Sequence, residues 1–179
     1  MKKEGYSLTN YKKWSDNPYA GESGPPTNPV TPDAGSWSLI FLKKDCRGNY
    51  LSPKGKKLCL PIRHPKHINF EEELEIVQET LNGISNTEMK IAKYYGTGVP
   101  TKQWPPVIDR LIDTYGLGRN PTQAARIIAT TLSAIQDTFI VVWDLKFRWN
   151  TARPNQYDQQ LHTVICTPRF PAYPSGHAT

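Results

Sequence analysis

Five residues near the C-terminal end of the sequence have side chains and spacing suited to gripping an anion: Lys146, Arg153, Ser175, Gly176 and His177. Lys146 and Arg153 lie seven apart, two helical turns, so both point the same way where a helix ends. Pro154 disfavours helix at Arg153 and marks that end. Basic residues also favour helix C-termini for dipole reasons, so this pair alone reads either way. The second group is the run PSGHAT at Pro174–Thr179. Pro-Ser-Gly opens a helix well, with Ser175 as N-cap and Gly176 allowing close backbone approach. Free N–H groups at such a start hold anions, and His177 adds an imidazole that exchanges protons near neutral pH. A capped helix with a surface histidine is the bland alternative. Taken together, the two groups offer hydrogen-bond donors and no carboxylate nearby in sequence. That set suits a tetrahedral or trigonal-bipyramidal oxyanion.

Helices must carry these groups. The strongest helical signal runs from Asn120 to Asn150, with Asn120 as N-cap, Pro121 at the first helical position and Gln123 at capping-box spacing. About 28 residues follow without Gly or Pro, roughly 40 Å of helix. Apolar residues on most of its faces (among them Ile127, Leu132, Phe139 and Leu145) predict central burial. Asp137 and Asp144 share one face and are expected to pair with basic neighbours. Upstream, Leu74, Val77, Leu81 and Ile84 form an apolar stripe behind an acidic first turn, Glu71 to Glu73. A second helix is expected from about Thr87 to Tyr95, ended by Gly96, and a third from Pro105 to Tyr115.

Residues 1–68 differ in texture, with a Pro/Gly/Ser/Asn-dense stretch and two short extended segments around a Gly-containing turn. They read as an irregular arm, and residues 69–179 as the start of an all-α helical domain. Cys46, Cys59, His64 and His67 do not match zinc spacing, since twelve residues separate the two cysteines. The 179 residues suffice for one domain, and the formal net charge of +6 favours anionic partners without choosing among them. The basic residues are scattered and no nucleic-acid recognition motif appears. Three cysteines exclude a complete disulfide framework. The start MKKEGYSLTNYKKW lacks the apolar core of a signal peptide, and the longest apolar run, Phe139–Trp143, is too short for a bilayer. As it stands, the chain reads as cytoplasmic, with no membrane partner.

K-x6-RP followed by PSGH resembles the first two motifs of the superfamily joining vanadium-dependent haloperoxidases to type 2 phosphatidic acid phosphatases. FPAYPSGHAT at Phe170–Thr179 and WDLK at Trp143–Lys146 are similar to the chloroperoxidase forms. The run from SNTEMKIAKYY through QWPPVIDRL resembles soluble bacterial members, so the likeness spans about residues 85–179. It implies a helical bundle of the haloperoxidase or acid phosphatase type, with vanadate as cofactor in a haloperoxidase and none in a phosphatase. Lys146 and Arg153 would then neutralise equatorial oxygens, Ser175 and the Gly176 N–H would hydrogen-bond to them, and His177 would exchange protons. No residue here is implied as a direct metal ligand. Trp143 and Phe170 match positions bordering the halide region, or read as core aromatics. The implied reaction is peroxide-driven halide oxidation. Phosphomonoester hydrolysis is the alternative within the fold, and non-catalytic anion binding the alternative outside it. A homodimer is implied by the same likeness. The family's third motif, Ser-Arg then His then an acid, belongs several dozen residues after PSGH, whereas the sequence stops at Thr179. With that motif missing, these residues alone are expected to bind anions weakly and not to turn over.

Overall fold

Asn69 opens helix α1 (Phe70–Gly83) by accepting the Glu71 N–H, and Glu71, Glu72 and Glu73 fill the first turn as the charge pattern predicts. This is seen in a computed structural model, which describes residues 10–98 and 101–179. The basic stretch Met1–Thr9 lies outside them. Helix α2 (Asn86–Gly96) starts on a reciprocal capping box between Ser85 and Glu88. Helix α3 (Trp104–Thr114) buries Ile108 and Ile112. Helix α4 (Pro121–Trp149) is capped by Asn120, whose side chain accepts the Gln123 N–H. A one-turn helix α5 (Pro154–Tyr157) follows. Besides four single-turn 3-10 helices, the described residues hold an antiparallel ribbon, β1 (Lys43–Lys44) with β2 (Tyr50–Leu51). Its turn carries Gly48 at φ 78°, a left-handed position that glycine takes without strain. The chain is therefore all-α in character, with the two expected extended segments forming the ribbon.

Central burial of α4 is only half realised. All of its buried residues lie between Asp137 and Lys146, while Pro121–Gln136 is exposed or half-buried. The cause is the arm, which packs along the second half. The turn at Ala34–Ser36 sits so close to α4 that a Cβ on Gly35 would lie 2.6 Å from the Asp144 Cα, where nothing larger than hydrogen fits. Taken whole, α4 is long and apolar enough to cross a bilayer, which its longest unbroken apolar run does not suggest.

The arm is irregular in outline yet supplies part of the core. Trp14, Tyr19, Ala34 and Tyr50 are each at most 5% exposed. It is fastened to α4 by the two aspartates that share a face. Asp144 pairs with basic neighbours as expected, meeting Lys44 at 2.9 Å and Arg148 at 2.6 Å while accepting from the Tyr50 hydroxyl at 2.5 Å. Asp137 does not. It is 2% exposed, and its oxygens accept the backbone N–H groups of Ile40, Phe41 and Leu42 at 2.7, 2.8 and 2.8 Å. Three successive main-chain donors from the bend at residues 40–42 satisfy the buried charge where no cation is needed.

Candidate oxyanion-binding site

The site is built where α4 stops. Asn150 takes the left-handed conformation (φ 55°, ψ 46°) and its N–H closes on the Lys146 carbonyl at 2.8 Å. The chain then runs extended through Thr151 and Ala152 between two other segments. On one side lies the arm, with Trp14 N donating to Asn150 O and Ala152 N to Lys12 O. On the other lies the segment before Pro174, with Ala172 N donating to Thr151 O and Tyr173 N to the Thr151 hydroxyl. Arg153 is thus not on the helix. The seven-residue spacing does not align it with Lys146 through helical periodicity; the turn at Asn150 and this three-segment packing bring the pair together.

The two cations meet over one ring. Lys146 Nζ lies 5.3 Å from the Phe170 ring centroid and the Arg153 guanidinium carbon 4.6 Å from it. Lys146 is 2% exposed and donates to the carbonyls of Pro171 at 3.0 Å and Ala172 at 2.7 Å. Arg153 Nε donates to Phe170 O at 2.9 Å, while its buried Nη2 has no hydrogen-bond partner. Among the described residues neither cation forms a salt bridge, although Asp144 and Glu22 serve other bases. Burial draws Lys146 down to about 7, and the Arg153 charge adds to the effect. Burial also lowers Arg153, to about 10 against the opposing influence of Tyr19, so it remains cationic at neutral pH. Buried cations without a carboxylate are costly, and an anion of suitable shape relieves that cost.

The PSGH residues close the same cavity from its exposed side. Ser175, Gly176 and His177 are all exposed, and the run forms a capped turn rather than a helix. Ser175 Oγ accepts the Ala178 N–H at 3.3 Å, as an N-cap would. A single turn fixes many dihedrals for few hydrogen bonds, so it does not propagate by itself. His177 Nε2 lies 3.2 Å from the Tyr95 carbonyl, which only accepts, so Nε2 carries the proton and Nδ1 is left as an acceptor. Trp143 is 4% exposed, stacks on Phe139 at 4.1 Å and tilts against Phe170 at 4.9 Å. Its indole N–H reaches Val30 O at 3.3 Å.

All seven residues singled out in the sequence line one cavity of about 970 Å³. Several of the groups that shape it carry no sequence signal. Tyr19 accepts from Trp14 Nε1 at 2.6 Å and donates to Pro168 O at 2.7 Å, which braces the segment leading to Phe170. Arg169 is held by both oxygens of Glu22, at 3.0 and 2.7 Å. Thr31 lines the wall at φ 44°, a strained setting for a β-branched residue. The arm lacks periodicity, so its contribution could be inferred only from the concentration of Trp and Tyr within it. Comparison with protein families, curated proteins and solved structures finds no match to this chain.

Proposed function

We propose that the chain carries the oxyanion grip of a vanadium-dependent haloperoxidase-like enzyme. The observation that supports this best is the pair of buried cations over Phe170, unmatched by any salt bridge and with Arg153 Nη2 lacking a partner. Such a donor-only set fits vanadate, whose oxygens accept from every side. Arg153 Nη2 would donate to one oxygen and Lys146 would neutralise charge from beneath. Ser175 and the Gly176 N–H would approach from the exposed rim. His177 Nδ1 would take or return a proton at the mouth, its ring steadied by Tyr95. Vanadate bound there would supply Lewis acidity for oxidation of halide by peroxide. Trp143 and Phe170 would keep water from the inner side, and their position beside the cations tilts the reading toward the haloperoxidase branch. The same donors suit the phosphoryl group of a phosphomonoester, which makes a soluble acid phosphatase the alternative within one fold.

Titration with orthovanadate and with phosphate, followed by calorimetry, tests the grip directly. Both are expected to bind, and Arg153→Ala is expected to weaken each by roughly a hundredfold or more. Binding that is indifferent to Arg153 would remove the grip and the proposal with it. Bromination of a phenolic dye with peroxide and vanadate separates the peroxidase from a phosphatase, which vanadate would instead inhibit. Both activity assays call for a protein that also carries the family's third motif, since residues 1–179 alone are expected to bind anions without turnover.

A further inference from the structure

The cavity is far larger than the anion its cations would hold. A volume of about 970 Å³ lies at the upper end of pockets that take organic ligands, whereas an inorganic oxyanion has only five or six heavy atoms. Its walls are also sorted. Among the described residues no Asp or Glu lines it, and of its basic residues Arg169 is already held by Glu22. Behind Lys146 and Arg153 a stack of aromatic rings backs the cavity: Phe170 under the cations, the buried Trp143 at 4.9 Å from Phe170, and Phe139 at 4.1 Å from Trp143. Phe139, Trp143 and Lys146 follow one another at four and three residues along α4, so this row extends about 10 Å from the cationic end. Val77 and Leu81 of α1 and Ile165 of the segment after α5 form other walls.

We infer that this trench holds the aromatic body of an organic anion, with its acidic head at Lys146 and Arg153 and its rings against Val77, Leu81 and Ile165. The inference rests on the oxyanion reading above and adds the substrate class. Charge complementarity selects the occupant: two cations without carboxylates at one end require an anionic head, and apolar walls beyond them reject a second charge. An organic anion whose acidic head fills Lys146 and Arg153 takes the place of an inorganic oxyanion there, so this substrate class belongs to the phosphomonoester alternative.

Two phosphonates that share a head and resist hydrolysis test the claim by calorimetry on the whole chain: methylphosphonate and 1-naphthylphosphonate. The naphthyl compound is expected to bind about tenfold tighter or more, since only it buries rings. Leu81→Asn and, independently, Ile165→Asn should abolish that gain and leave methylphosphonate affinity unchanged, with unaltered far-ultraviolet circular dichroism in each. Arg153→Ala should weaken both ligands. Equal affinities, or a gain that survives both wall variants, would overturn the inference while leaving the oxyanion reading intact, and would leave the trench to a polypeptide. Failure of both phosphonates to bind would overturn the two together.

Discussion

Lys146 is the residue whose charge state ties the site to pH. Its pKa, about 7 in the folded chain, lies well below the ordinary lysine value because burial and Arg153 both disfavour the cation. Between about 7 and the ordinary value near 10.4, the unfolded chain therefore binds the proton that the folded chain has released. Stability from this group rises with pH through that window, and below about 7 the full cost of the buried cation is felt. Urea unfolding of the wild-type chain is expected to show this upward slope, and Lys146→Met to lack it. Parallel curves would show that Lys146 titrates as it would in water. An anion in the grip has the opposite preference, because it favours protonated Lys146. Phosphate affinity should accordingly fall as pH rises through about 7, and Lys146→Met should bind more weakly with that step absent. The remaining pH dependence would come from phosphate itself.

The aspartate–arm junctions set the order of the elements. Removing the Asp137 carboxylate leaves three buried backbone donors unsatisfied, so Asp137→Ala is expected to cost about 2–4 kcal/mol in unfolding free energy. Asp137→Asn, which keeps one acceptor oxygen, should cost less; equal stability in both variants would show the junction to be unimportant. This junction also marks how far sequence reasoning reaches. Helices α1, α2 and α4 were legible because apolar periodicity, the acidic first turn of α1 and the Asn120 cap are local properties; the Ser85–Glu88 box that starts α2 was not read from the sequence. The grouping of Lys146, Arg153 and Ser175 was legible through motif order. Asp137 was misread because its partners are main-chain atoms nearly a hundred residues away, and no side-chain pattern announces them. For the same reason the bracing of the Phe170 segment by Tyr19 could not be foreseen. Arg153 reached the expected place by an unexpected route, since the helix ends four residues before it and hydrogen bonds to Lys12 and Ala172 complete the path.

The whole molecule exposes more surface than its mass requires. Its accessible area is 12550 Å², against about 8,800 Å² for a compact 20.3 kDa monomer. Large apolar side chains are among those exposed, including Ile91 and Tyr94 on α2, Trp104 and Leu111 on α3, and Tyr115 beyond it. Exposed apolar side chains of this size favour association. Sedimentation velocity is expected to show a weight-average mass above 20.3 kDa that grows with concentration, and Leu111→Lys to lower it. A constant 20.3 kDa species that fails to enhance the fluorescence of an apolar dye would argue against such association. The joining of the arm to the end of α4 has a consequence in time. Tyr11 reaches the Trp149 carbonyl across 138 residues, and Gln156 reaches Trp14 O across 142. Contacts of such high sequence separation close late and slow the search for the native topology. At ribosomal rates of about 5–20 residues per second, the arm waits on the order of ten seconds for its partners to be made. During that interval its Trp and Tyr residues are open to chaperones, and the pocket comes into being only when the two distant segments finally meet.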